Sequence, residues 1–257
     1  MKKFIIFLLL SISLLYLYGK YIEPENFIVR EYSIVDSKIP EEFDGYKIIH
    51  FSDLYYDNRD LSSIINKINR LKPDLVVFTG DLIKNYYNKD KLIDYLSKID
   101  SKNDIYFVRG DNDYNETYED IISKINGYIL NNEFKYIYNN GLNKIVLSGL
   151  DNEVNIDDAF NFEEGIYSIT LSHKPDNYDL LNNKHTDLYL TGHSLNGQIR
   201  LPFAGAIIKV NGAMRYYDPV YSVNNSKIYI SNGLGNPKYN FRLFNTPSIN
   251  FYRLYNK

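Results

Sequence analysis

Leu75-Val76-Val77-Phe78-Thr79-Gly80-Asp81 is a short apolar run, rich in β-branched and aromatic residues, that stops on a glycine and a carboxylate. Such a run reads as a buried strand. The glycine permits a tight turn, which leaves the carboxylate at the strand's C-terminal end. The pattern repeats outward in both directions. Ile48–Ser52 leads into Asp53, and Ile105–Gly110 leads into Asp111-Asn112-Asp113. Ile169–Ser172 leads into His173, and Leu188–Gly192 leads into His193. One such cluster alone would be an ordinary helix N-cap or turn. Five in order, two of them carrying histidine, predict a pocket at the carboxyl ends of the strands, where α/β sheets place ligands. Carboxylates and imidazoles together suit a divalent cation.

Between these runs the spacing is helical. Leu61, Ile64, Ile65, Ile68 and Leu71 mark one helix, Leu92, Leu96 and Ile99 a second, and Glu116–Ile125 a third. Ile137–Leu150 reads as a hairpin around Asn140-Gly141. Ile207–Val210, Lys227–Ser231 and Ile249–Leu254 are further expected strands. The chain is βαβαβ first and mostly β later. That order predicts an α/β fold, a four-layer α/β/β/α sandwich, and no Gly-rich dinucleotide turn argues for a Rossmann sheet.

The 257 residues suit a large buried core, and 44% hydrophobic with 24% charged residues excludes a disordered or fibrous chain. A formal charge of −3 argues against nucleic-acid binding, which needs a basic face. Cysteine is absent, which excludes disulfides, thiolate metal ligands and a cysteine nucleophile. Tyrosine is abundant, with 26 residues, but A/T-rich codon usage explains that without assigning it a role.

Lys2 and Lys3 precede the apolar run Phe4–Tyr18, and Lys20 follows it. We read residues 1–20 as a signal anchor or transmembrane segment, in preference to a cleaved signal peptide or a buried core helix. No small-x-small cleavage site follows the run. Residues 21–33 read as a linker and 34–257 as the folded domain. The lysines ahead of the run place that domain outside the cytoplasm, membrane-anchored and extracytoplasmic. Without Lys2, Lys3 and Lys20 its formal charge falls from −3 to −6.

From Ile34 to the C-terminus the chain resembles the calcineurin-like metallophosphoesterases, and more narrowly their membrane-anchored bacterial branch. Members of that family read S-D-L-H, G-D-x-x-D, G-N-H-D/E, a strand ending in S-H, and G-H-T-H-G-G-Q. Here the blocks are Ser52-Asp53-Leu54-Tyr55, Gly80-Asp81-Leu82-Ile83-Lys84, Gly110-Asp111-Asn112-Asp113, Ser172-His173 and Gly192-His193-Ser194-Leu195-Asn196-Gly197-Gln198. Ser231-Asn232-Gly233-Leu234-Gly235 and Arg242-Leu243-Phe244-Asn245 also look like that branch.

The resemblance implies two metal ions about 3.5–4 Å apart that activate a shared water for attack on phosphorus. The first ion would use Asp53, Asp81 and histidines at the positions of Tyr55 and Leu195. Leucine cannot coordinate, and a tyrosine must lose a proton with an ordinary pKa near 10 to do so. The second ion would use Asp81, Asp111, His173 and His193, where Asp111 replaces the family asparagine with another oxygen donor. The histidine that protonates the leaving group corresponds to Asn112, which donates a hydrogen bond but transfers no proton. Lys84 stands where a second acid is usual.

The expectation is therefore one divalent ion rather than two, of Mn, Zn, Fe or Mg type, with Asp53 left as a remnant of the first site and activity lowered or lost. Arg109 and Lys174 border the blocks and are candidates for holding an anionic group. Asp113 is a candidate for orienting the ligands, His50 reads as a structural histidine, and His185 as a solvated loop residue. Three functions compete. One is an anchored hydrolase of a phosphodiester or pyrophosphate in a phosphorylated lipid or envelope precursor. The second is a non-catalytic metal- or phosphate-binding envelope protein, and the third is an interaction domain without metal.

Overall fold

Alternation along the strands sets the layers. A computed structural model describes residues 1–84 and 86–257. Two six-stranded sheets stack with their inner faces in contact. The first has the order β1 (Ile28–Val35), β14 (Ser248–Tyr255), β2 (Lys47–Phe51), β3 (Leu75–Thr79), β4 (Ile105–Val108), β5 (Tyr128–Ile129). β2 to β5 are parallel, and β14 runs antiparallel to β2. The second has the order β12 (Val220–Val223), β13 (Ser226–Ile230), β9 (Leu188–Thr191), β8 (Ser168–Ser172), β7 (Lys144–Leu150), β6 (Glu133–Tyr138). Its inner strands are parallel, and its two outer pairs are antiparallel hairpins.

Ile48 and Val77 point between the sheets and meet Leu147, Ile169, Leu171 and Leu190. Their chain neighbours Ile49, Phe51, Val76 and Phe78 point the other way, against α2 (Ser62–Leu71), α3 (Lys89–Leu96) and α4 (Glu116–Lys124). Ile64, Ile65 and Ile68 form the buried stripe of α2 at helical spacing. The outer face of the second sheet is covered more thinly. Leu150, Tyr189 and Ile228 pack under the four-residue α5 (Ile156–Ala159) and a 3₁₀ segment over Pro175–Leu181. The expected α/β/β/α sandwich is the observed one, with that outer layer reduced.

Two expectations fail. Residues 28–33 are not linker: they form most of β1, parallel to β14. β1 is an edge strand whose one buried residue is Ile34, so its sequence lacks the apolar run that marks the inner strands. Ile207–Val210 is not a strand: it follows the small hairpin of β10 (Arg200–Leu201) and β11 (Gly205–Ala206) as irregular chain. Ile207 and Ile208 stay exposed there instead of joining a sheet.

α1 (Lys2–Tyr21) is one helix long and apolar enough to cross a membrane. At 1.5 Å per residue it spans about 30 Å, the thickness of a bilayer core. Its side chains from Phe4 to Tyr18 are exposed apart from the half-buried Ser11.

Candidate metal centre at the strand ends

Parallel strands deliver their C-terminal ends to one edge of each sheet. β2, β3 and β4 bring Asp53, Asp81 and Asp111 from the first sheet, and β8 and β9 bring His173 and His193 from the second. The turns are tight. A Cβ on Gly80 would come within 2.5 Å of His173 Nδ1, and one on Gly110 within 2.2 Å of the Asp81 nitrogen. Asp53, Tyr55, Asp81, His193 and Leu195 themselves adopt left-handed backbone, with φ of 49°, 43°, 58°, 62° and 49°. Each such residue costs about 1 kcal/mol or more, and strain of this kind collects at functional sites.

Asp81, His173 and His193 each offer one ligand atom, and these atoms lie within 4.8 Å of one another. His173 Nδ1 is 2.8 Å from the Thr79 carbonyl oxygen, and His193 Nε2 is 2.7 Å from that of Asn211. Each carbonyl accepts a hydrogen bond from the ring, so the N–H of each ring is spent there. The remaining nitrogens, His173 Nε2 and His193 Nδ1, face one another at 3.1 Å. At that separation the two nitrogens either share a proton, His173 Nε2–H donating to His193 Nδ1, or flank a cation. Nitrogen ligands about 2.0–2.1 Å from one ion stand about 3 Å apart or slightly more. Asp81 Oδ2 lies 3.4 Å from His173 Nε2 and completes the group. The donor set fits a divalent ion.

The electrostatics agree. Burial alone would lower the His173 imidazole, but Asp81 and Asp53 outweigh it and raise it to about 10. Burial pushes Asp81 up, yet the His173 charge and hydrogen bonds hold it well below the usual carboxylate range. Burial and the His173 charge lower His193. The pocket therefore draws positive charge to the ring nitrogens, as a proton or as an ion.

Asp113 is fully buried and accepts from three backbone N–H groups: Asp81 at 2.7 Å, Gly110 at 2.9 Å and Leu82 at 3.0 Å. Burial raises it to about 6 against those bonds. It ties the β3 and β4 turns together and so aims Asp81.

The family model for calcineurin-like phosphoesterases matches residues 46–197, which hold Asp53, Asp81, Asp111, Asp113, His173 and His193. The chain belongs to that family. The metallophosphoesterase YkuE of Bacillus subtilis, described as uncharacterized, is 30% identical over 255 residues, covering 93% of this chain and 89% of YkuE. The UDP-2,3-diacylglucosamine pyrophosphatase LpxG of Chlamydia muridarum is 24% identical over 309 residues, 92% of each chain. Among solved structures, an archaeal phosphodiesterase aligns with 13% identity and a TM-score of 0.40, over 73% of this chain and 84% of its own.

The other positions of the metallophosphoesterase blocks are placed as follows. Tyr55 is buried, and its hydroxyl donates to Asp81 Oδ2 at 2.5 Å. Burial first, then Asp53 and Asp81, raise its pKa far enough that it stays a phenol. Leu195 is buried and packs with Asp53 against Gly233. Asp53 accepts from Ser52 Oγ and the His193 N–H through Oδ2, while its buried Oδ1 has no partner among the described residues. Burial raises Asp53 to about 7.

Asp111 stands outside the tight group. Its Oδ2 is 3.7 Å from His193 Nδ1, and its Oδ1 pairs with Lys174 Nζ at 2.6 Å. Asn112 donates its backbone N–H to Asp81 Oδ1 and lines the mouth of the pocket with Tyr55, Lys84 and Lys238. Arg109 is not poised for an anion. It is bound by Glu119 at 2.7 Å and Asp151 at 3.2 Å, because α4 and the segment after β7 bring two carboxylates to it. His185 pairs with Asp187 at the far side of the second sheet.

Sequence reasoning assigned no role to Arg242, which is wholly buried. It donates to the Asn232 and Gly235 carbonyls and to Asn236 Oδ1, and so holds the loop behind Asp53. Burial lowers it to about 10. An arginine gives no sign of burial in sequence, because its charge reads as surface.

Proposed function

We propose that this metallophosphoesterase is membrane-anchored, holds one divalent ion and hydrolyses a phosphodiester or pyrophosphate at a reduced rate. The observation that carries this reading is the facing pair of imidazole nitrogens beside Asp81. A bound ion would supply a Lewis acid for the phosphoryl group. Asp81, His173 and His193 would hold it, and Asp111, paired here with Lys174, would be a further candidate ligand. Asp113 holds the Asp81 turn in place. Asn112 donates a hydrogen bond to a phosphoryl oxygen at the mouth, and Lys84 and Lys238 attract the anion. No side chain in this set replaces the missing proton donor, which alone costs about 10²–10⁴-fold.

The substrate class we infer is a phosphorylated lipid or envelope precursor. LpxG, a pyrophosphatase of UDP-2,3-diacylglucosamine, supports that class, and α1 supports a substrate at the membrane. Lys2 and Lys3 ahead of α1 support an extracytoplasmic domain. A second reading, an ion- and phosphate-binding protein without turnover, is favoured by the Tyr55 phenol on Asp81 and the Lys174 ammonium on Asp111.

The deciding experiment is hydrolysis of bis(4-nitrophenyl) phosphate by the full-length protein in detergent with Mn²⁺. It is compared with a Tyr55→His, Asn112→His, Leu195→His triple variant. Slow turnover by the parent and about 10²–10⁴-fold faster turnover by the variant support the first reading. Parent turnover no faster than Mn²⁺ alone selects the second. Equal, fast rates for both contradict a depleted site.

A further inference from the structure

The end of α1 does not lead into a loose tether. The Arg242 N–H donates to the Gly19 carbonyl at 2.8 Å, and Gly19 leaves no room for a Cβ against Phe241 and Arg242. The Tyr16 and Phe241 rings lie 5.8 Å apart. Just past the helix, the buried Glu23 carboxylate accepts from the Phe244 and Asn245 N–H groups at 2.9 and 2.6 Å. The same loop continues into the site. Gln198 donates to the Tyr239 and Phe241 carbonyls, and Asn245 donates to the Leu195 carbonyl.

Between the last turn of α1 and these loops lies a cavity of about 490 Å³. Tyr16, Ile199, Ile208 and Phe241 give it an apolar lining, with Lys20 and Lys238 at its polar positions. Lys238 also lines a second cavity of about 380 Å³, the mouth that holds Tyr55, Lys84 and Asn112. One lysine thus borders both an apolar space beside the anchor and the polar entrance to the metal centre. The surrounding surface is apolar too: Leu201, Phe203, Ile207 and Ile208 are exposed on the hairpin segment, with Phe203 fully so.

We propose that the cavity against α1 receives one hydrocarbon chain of an anionic membrane lipid whose phosphate sits at the mouth, with Lys238 between them. This rests on the lipid reading of the substrate and on α1 lying in the bilayer. The last turn of a bilayer-spanning α1 falls at the lipid headgroup level, so the cavity opens where chains and headgroups meet. Aliphatic and aromatic walls suit a hydrocarbon chain, and the lysines suit its anionic head. Leu201, Phe203 and Ile207 then rest on the same leaflet, which explains an apolar surface that no sheet covers.

The test uses the full-length protein in phosphatidylcholine nanodiscs. These contain a small fraction of phosphatidylglycerol with a diazirine in one acyl chain. After irradiation, adducts are expected on the cavity-lining loop residues Ile199 and 238–241 as well as on α1. Ile208→Asp is expected to lower the loop adducts about tenfold, since it sets a carboxylate against the chain, while adducts on Phe4–Tyr18 persist. Ile208→Leu restores them. Ile208 is partly exposed, so neither change threatens the fold. Adducts confined to α1, or loop adducts indifferent to Ile208→Asp, overturn the proposal. Labelling of the cavity in a protein that takes up no ion upholds this proposal and sinks the metal reading alone.

Discussion

On the second-sheet side of Asp81, His173 and His193 have their tautomers set by the Thr79 and Asn211 carbonyls, and their free nitrogens converge. Around Asp53 the backbone at Tyr55 and Leu195 is left-handed as it is at His193, yet Tyr55 caps Asp81 and Leu195 packs beside Asp53 with nothing to donate. The left-handed turns are thus present in both halves, but only one of them brings two imidazoles together, and the other offers Asp53 alone. On that side the buried Asp53 Oδ1 has no partner among the described residues. The same turn geometry carries coordinating and non-coordinating side chains, so geometry alone does not report function.

The largest effect expected from breaking this contrast is His173→Ala. Removing a side chain that merely orients a ligand costs about 10–100-fold in metal affinity, and a direct ligand costs at least that much. Isothermal titration with Mn²⁺ or Zn²⁺ should therefore show uptake weakened by more than about 100-fold. The matching change in the other half, Leu195→Ala, should leave affinity within a few-fold. Asp113→Asn loosens the turn that aims Asp81 without touching the ion, and a loss of about 10-fold in affinity is expected. Unchanged affinity would remove Asp113 from the positioning role.

His50 sits in β2, beside Thr79 at the end of β3. It is fully buried, and it bonds the Thr79 hydroxyl at 2.8 Å. Burial lowers its pKa from 6.5 to about 3. Between those values the unfolded chain binds a proton there and the folded chain does not. Its presence therefore lowers stability as pH falls below 6.5, by about 1.4 kcal/mol per pH unit. Asp53 and Asp113, raised by burial, titrate with the opposite sign, but in parent and variant alike. Thermal unfolding of His50→Gln against the parent from pH 7 to 5 should show the variant gaining by that slope, and a parallel pair of curves would contradict it. The smallest effect expected is Tyr55→Phe. With a chelator present, loss of the hydrogen bond to Asp81 should cost about 1–2 kcal/mol of stability, and with Mn²⁺ in place of the chelator no second ion should bind.

Much of this was legible in the chain. Runs such as Leu75–Asp81 carry both a strand and its ligand, because an inner parallel strand is apolar throughout and its end faces the pocket. β1 was not, since an edge strand alternates weakly and reads like linker. Ile207–Val210 misled, because a run of exposed isoleucines looks like strand interior. Partners set by tertiary contact were beyond sequence altogether: Arg109 goes to Glu119 and Asp151, Asp111 to Lys174, and Glu23 to the loop after Arg242. The docking of α1 against residues 239–246 has the same origin.

The central claim is best tested by counting ions and seeing where they sit. Crystals of the full-length protein grown with Mn²⁺, with data collected at the manganese edge, should show one anomalous peak among Asp81, His173 and His193. Metal analysis of the same protein should then return one ion per chain. Two peaks sharing Asp81, with Asp53 Oδ1 and a displaced Tyr55 around the second, would contradict the account.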